Sequence, residues 1–303
     1  MGAKFLDTIG GKLAENWAAS VLTPALLFWV GGLLALTWRT GWEPLERWLA
    51  AQSALSQLFL AGGALAVFAA SAVVVDALNI SVLRLLEGYW PRWLGRLRRW
   101  SVRRLERRIG EREARLQVLA ARRATLTAEE TAELAALQQE LHGVPALPVH
   151  YMPTRFGNML RAAERRIGEK YGLEVVVCWP RLWLLLSDGA RREIADARAQ
   201  VDIGARFCLW GVLFVGWGAV AWWAVILGGA IAVGAYRWML GAADVYASLL
   251  ESCFDVSRAA LYKALRWPLP ANPAEEVPCG QALTRYLFEG SDRAEPPFVG
   301  SGL

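Results

Sequence analysis

The sequence predicts an all-α integral membrane protein: four transmembrane helices in two hairpins, with a central cytoplasmic helical domain between them. Three observations predict it. Residues 18–38 carry no charge, and neither do residues 58–75. Residues 207–243 are interrupted only by Arg237. A soluble domain rarely strings apolar residues into runs of bilayer length. The third observation is the charge map, since 23 of the 33 Lys and Arg lie between Ser81 and Arg206. Composition agrees: 55% of the 303 residues are hydrophobic, 16 are Trp, and the mean hydropathy is +0.27.

Residues 1–17 repeat an apolar side chain every fourth position, at Phe5, Ile9, Leu13 and Trp17. That spacing predicts an interfacial amphipathic helix. The run that follows is long enough to span and has no small-x-small cleavage site after it, so a cleaved signal peptide is not expected. Myristoylation is not expected either, because Leu6 stands where that motif needs Ser or Thr.

The first hairpin is assigned to residues 18–80. Trp29, Trp38, Trp42 and Trp48 lie in or near its connecting loop, as an interfacial aromatic belt requires. The second hairpin is assigned to residues 207–243. As one helix this run would be about 55 Å long, against roughly 30 Å of hydrocarbon. Two helices with a turn near Gly216–Gly218, or shortly after, fit better; one long tilted helix is the alternative and would put the C-terminus on the other side. Glycine pairs at Gly31-Gly32, Gly62-Gly63 and Gly228-Gly229 suit close helix packing, within the chain or between copies.

Orientation follows from the cations. The first loop holds only Arg39 and Arg47 against Glu43 and Glu46, and the proposed second turn holds none. The positive-inside tendency therefore places residues 81–206 and both termini on the cytoplasmic side.

Within 81–206, a basic helical hairpin is expected over 97–142. Residues 96–123 contain 11 Arg, and Val102, Leu105, Ile109, Leu116 and Leu119 follow a 3-4 spacing broken by Arg112. Thr127 to Glu130 reads as a capping box opening a second helix with Leu134, Leu137 and Leu141 on one face. The candidate lipid- or partner-binding residues are Arg98, Arg99, Arg103, Arg104, Arg107 and Arg108. Such a face can be merely solvated, or it can bind phosphates. Its attachment directly after a membrane helix favours anionic lipid over nucleic acid.

Thr154 is a natural N-cap for a helix whose stripe is Phe156, Leu160, Ala163, Ile167 and Tyr171, opposite Arg161, Glu164 and Arg165. Gly172 can end it in a left-handed cap. Residues 173–186, charged only at Glu174 and Arg181, suit a buried core segment or a shallow re-entrant one. Ser187 caps a helix predicted to run without a breaker into the third span. Trp90-Pro91, Trp179-Pro180 and Trp267-Pro268 read as helix stops at the membrane surface, with chance as the alternative in so Trp-rich a chain. A cytoplasmic helix is assigned to 244–267 and a Pro-rich tail to 268–303, with a short helix near 281–288 and no order expected in the last dozen residues.

The stretch Pro153-Thr154-Arg155-Phe156-Gly157-Asn158 with Leu160-Arg161-Ala162-Ala163-Glu164, then Tyr171-Gly172-Leu173 and Trp179-Pro180-Arg181-Leu182, resembles a family of bacterial multi-pass membrane proteins with no activity attached to it. The resemblance covers roughly residues 150–240. It implies a bacterial membrane setting and transfers no catalytic or binding role. Arg155, Phe156, Gly157 and Asn158 are singled out as its motif, with close backbone packing and a side-chain cap as plain roles for the last two.

His142 and His150 lie in a polar linker without cysteine or a second carboxylate at ligand spacing, and no nucleophile elbow or phosphate-binding glycine loop is present. The four cysteines are scattered and read as small hydrophobes. No enzyme, metal or cofactor is expected. Charged residues at the membrane default to a functional hypothesis. They are Asp76, Arg237 and Asp244: Arg237 could pair with either aspartate or line a polar path, or all three could lie at the cytoplasmic headgroup level. The expected function is a non-enzymatic, oligomeric module that senses or recruits a cytoplasmic partner and anchors it or opens a pore. The alternative is a transporter, channel or membrane-embedded enzyme, for which Ser71 and Arg237 are the only mid-membrane polar candidates.

Overall fold

The computed structural model describes residues 23–290 and 297–299. The expected interfacial helix at 1–17 and the start of the first span, 18–22, lie outside the described residues. The described chain is helical, with no strand among those residues. Among the described residues, three helices are long and apolar enough to cross a membrane. Their elements in chain order are α1 (23–40), α2 (Glu43–Ala50), α3 (Ala54–Glu87), α4 (Gly95–Ala121), α5 (Ala128–His142), α6 (Arg155–Tyr171), α7 (Val175–Leu185), α8 (Asp188–Phe214), α9 (Trp223–Ala264) and α10 (Glu276–Glu289). The chain divides into two compact units. One holds residues up to Leu83 with Gln200–Met239, the other Arg84–Ala199 with the chain from Leu240 onward.

In the first unit, α1 leads through Gly41, at φ 75°, into the short α2, a helix within the loop that sequence left unassigned. Glu43 and Glu46 in its first turn favour the positive end of its dipole. Ala25, Ala72, Val75 and Trp210 form a small core, with Phe28 packed on Trp210 at 5.0 Å between ring centroids. The 207–243 run is two helices: α8 gives way to a short 3-10 segment at Val215–Ala219, and α9 begins at Trp223. Glycine brings them together. A β-carbon on Gly211 would lie 2.6 Å from the amide nitrogen of Ala232, and one on Gly228 would lie 2.8 Å from the carbonyl oxygen of Gly211. Gly31 and Gly32 make room for the rings of Phe214 and Trp217, whereas Gly62, Gly63 and Gly229 face open space. Trp38, Trp42, Trp222 and Trp223 line one cavity of about 580 Å³ with Leu34 and Thr37.

In the second unit, α4 and α5 form the expected antiparallel hairpin. Thr127 and Glu130 make the reciprocal capping box. Ile109, Leu119 and Leu134 are buried. Arg112, which breaks the apolar spacing, reaches across to Glu140. Arg115 meets Glu133 through two parallel bonds of 2.8 and 2.7 Å. Thr154 caps α6 by accepting from the Gly157 amide at 3.1 Å, and Gly172 ends it at φ 69°.

The core of this unit gathers Ile167 and Tyr171 from α6, Cys178 and Leu182 from α7, Phe254 and Tyr262 from α9, and Leu283 from α10. The segment 173–186 is thus a core helix on one face, while Val176 and Leu184 are exposed on the other. Trp179-Pro180 does not stop a helix, since Pro180 lies inside α7. Proline lacks the amide that would bond the Val176 carbonyl one turn back, so α7 runs on with that one ladder bond missing, and Arg181 donates to the Val177 carbonyl at 2.6 Å. The other two pairs lie outside helix: α3 ends at Glu87, ahead of Trp90-Pro91, and α9 at Ala264, ahead of Trp267-Pro268.

Ser187 caps α8, accepting from the Ala190 amide at 3.3 Å, and α8 continues unbroken to Phe214. Residues 244–264 belong to the same helix as 223–243, so the segment 244–267 is largely the continuation of α9. The expected short helix in the 268–303 segment is longer, Glu276–Glu289, and it is core. A β-carbon on Gly280 would sit 1.8 Å from the Tyr171 carbonyl oxygen. Part of the final dozen residues is ordered by contact: Phe298 packs on Trp267 and Tyr286, and the Val299 amide donates to the Arg266 carbonyl at 2.9 Å.

Candidate functional site

Sequence singled out three groups of residues, and the structure gives each a different setting. The motif 153–164 is a joint. Phe156 is fully buried and Arg155 exposed at the first turn of α6. Gly157 packs on the end of α3 so tightly that a β-carbon would fall 1.8 Å from the Glu87 carbonyl oxygen. Gly88, at φ 101°, packs on Pro153 in the same place. Asn158, also buried, holds the strand-like approach to α6 by three bonds. Its Oδ1 accepts from the Met152 amide at 2.8 Å, and its Nδ2 donates to the carbonyls of Met152 at 2.7 Å and Thr154 at 2.6 Å. The face of α6 expected to be polar is half covered: Arg161 donates to the Tyr89 hydroxyl at 3.1 Å and pairs with Glu164 at 3.4 Å. Burial pushes the Glu164 carboxyl above the usual range, with Glu87 and Glu174 adding to the rise and Arg161 and Arg165 opposing it. The motif therefore locks the chain after α3 to α6.

Further along α6, cations and acids join it to α9 and α10. Arg166 holds Glu251 at 3.1 Å and also donates to the His142 carbonyl. The Tyr171 hydroxyl and Lys170 both donate to Asp255, at 2.5 and 2.9 Å. Arg258 lies 4.3 Å over the Tyr171 ring and binds Glu276 at 2.8 Å. Sequence missed this network, because the α6–α9 partners are some 85 residues apart, Arg258 and Glu276 are 18 apart, and nothing local pairs them.

The membrane-charge group separates. Asp76 pairs with Arg206 at 3.4 Å, with 31% and 14% of the respective side chains exposed. Arg237 and Asp244 are both exposed. The partner of Asp76 is thus a residue that sequence had not nominated, although one signal was present. Asp76 follows the run 58–75 by one residue and Arg206 precedes the run 207–243 by one, so antiparallel helices bring them to equal height. Ser71 is occupied, accepting from Trp29 at 3.0 Å and donating to the Phe68 carbonyl at 2.7 Å.

Arg98, Arg99, Arg103, Arg104, Arg107 and Arg108 are exposed on α4 and form no ion pair among the described residues. No group of three or more His, Cys, Asp or Glu placed to hold a metal occurs among the described residues. Comparison with family models, curated proteins and solved structures finds no match to this chain. The resemblance of the 153–182 motifs therefore gains no support from that comparison, and any functional reading rests on the geometry.

Proposed function

We propose that this chain is a non-enzymatic, oligomeric module of a bacterial inner membrane. It crosses the bilayer four times in two hairpins and holds residues 81–206 and both termini in the cytoplasm. There its helical unit senses or recruits a soluble partner for the membrane bundle to anchor. The observation that carries this reading is the division of charge between helices of bilayer length and a strongly basic helical region between them. The shared cavity of Trp38, Trp42, Trp222 and Trp223 supports it, because two hairpins of this kind bring both outward turns to one interface. The unbroken α8 and α9 give a route by which a change in the polar half of each helix reaches its apolar half. Exposed Leu58, Phe59 and Leu65, beside the open Gly62 and Gly63, leave α3 a face for lipid or for another copy.

An epitope inserted at position 125, in the turn between α4 and α5, tests the sidedness. It should be reachable only after the inner membrane is opened; labelling in intact spheroplasts would refute the orientation. Crosslinking through residues 97–171 should then recover a discrete soluble partner, and repeated failure would remove the recruitment role.

A second reading, transport of an ion or small solute, is favoured by the Asp76–Arg206 pair beside two apolar runs. In reconstituted vesicles it predicts a flux that Asp76→Asn abolishes. An inserted, folded protein that passes nothing would end it.

A further inference from the structure

The arginines of α4 fall into two sets. Those in its second half are paired by α5, Arg112 with Glu140 and Arg115 with Glu133, and Arg122, just past its end, is paired with Glu130. Those in its first half have no such partner among the described residues. Large apolar side chains stand out among them. Trp93, just before the helix, is 80% exposed, Leu97 46% and Trp100 56%. Leu97, Trp100 and Arg104 recur at helical spacing, and the Arg104 guanidinium stacks on the Trp100 ring at 5.4 Å. Arg96, Arg99, Arg103 and Arg107 line an open groove of about 750 Å³ around that ring.

A solvated cationic face has no use for two exposed indoles and a leucine, which raise its free energy in water. A nucleic-acid surface would explain the charge and one stacking ring but not Leu97. The headgroup layer of a bilayer explains all of it. Indoles lodge at the level of the glycerol backbone, where the ring is buried and its N–H stays hydrated, while guanidinium groups on flexible stems reach the phosphates.

We propose that the 93–108 face is a docking surface for anionic phospholipid headgroups, with Trp93, Leu97 and Trp100 inserted between the lipids and Arg96, Arg99, Arg103 and Arg107 on phosphates. The proposal rests on the membrane-module reading above, and it names the partner of the basic helix as the membrane's own surface. The first half of α4 is then membrane-bound, and its second half carries the α5 hairpin away from it.

The test uses the full chain in nanodiscs of phosphatidylcholine alone, and of phosphatidylcholine with roughly a third phosphatidylglycerol. Hydrogen exchange is followed in peptides covering 93–108, with α6 peptides as an internal measure of folding. Exchange over 93–108 should slow about tenfold in the anionic discs. The triple variant Arg99→Gln, Arg103→Gln, Arg107→Gln should lose that difference while α6 keeps its protection. Trp93→Ser with Trp100→Ser should keep the difference at low salt and lose it at high salt, because only charge attraction then remains. Equal exchange in the two compositions overturns the proposal. So does protection that appears on adding duplex DNA or RNA to zwitterionic discs but not with phosphatidylglycerol. Nanodiscs expose both membrane faces, so this result is independent of which side the epitope at position 125 reports.

Discussion

The carbonyl oxygen of Glu87 stands 1.8 Å from the point where a β-carbon on Gly157 would be placed. No rotamer of a substituted side chain relieves such a clash, because both partners are main chain. Gly157→Ala should therefore lower stability by about 3 kcal/mol, read as a fall in the unfolding temperature in detergent. Gly110→Ala, on an exposed turn of α4 with nothing within 4 Å, serves as the control. It should be neutral or stabilise by up to roughly 1 kcal/mol.

Asn158 supplies one acceptor and two donors to backbone groups that have no water to replace it. Asn158→Ala should cost about 3 kcal/mol. Asn158→Asp should be at least as damaging, since a carboxylate would face the Met152 and Thr154 carbonyls that now accept. Denaturant unfolding of the two variants side by side checks the order.

The Asp76–Arg206 pair invites a double-mutant cycle. Asp76→Asn or Arg206→Gln alone removes this contact and should cost about 1 kcal/mol, while the double variant should cost less than the sum. Arg237→Gln, on an exposed side chain, should lie within about 0.5 kcal/mol of the parent. Additive singles would show that the two residues do not act as a pair.

Glu164 gives a pH dependence whose sign can be worked out. Its carboxyl titrates above the ordinary value of 4.5, chiefly through burial, so the folded chain holds a proton that the unfolded chain releases. The stability it contributes is complete below the ordinary value and is lost as pH rises through the raised one. Glu164→Gln should remove that loss. The unfolding temperature of the variant should fall less than the parent's between about pH 4 and pH 7, and parallel curves would show that Glu164 titrates normally.

Much of the fold could be read from local pattern. The capping box at Thr127, the N-cap at Thr154, the left-handed Gly172 and the turn after Phe214 are each written within a few residues, and local geometry enforces them. The site was less legible, for a physical reason. Gly157 needs to be glycine because of a carbonyl 70 positions earlier, and Arg166, Lys170 and Arg258 are paired by the way α6, α9 and α10 stack. Such pairings leave no periodicity behind them. Pro180 misled for a related reason: it costs α7 one ladder bond, and the burial of Cys178 and Leu182 on either side of it in the core holds the helix together.

The seat of Phe298 between Trp267 and Tyr286 bears on how this chain should be handled. A fluorescent or enzymatic reporter joined directly after Leu303 would pull on a ring only a few residues away, and through it on the aromatic cluster that closes α9 against α10. Reporters at this end need a generous spacer, and a weak signal from a short one would speak of a disturbed core before it spoke of which compartment the end occupies.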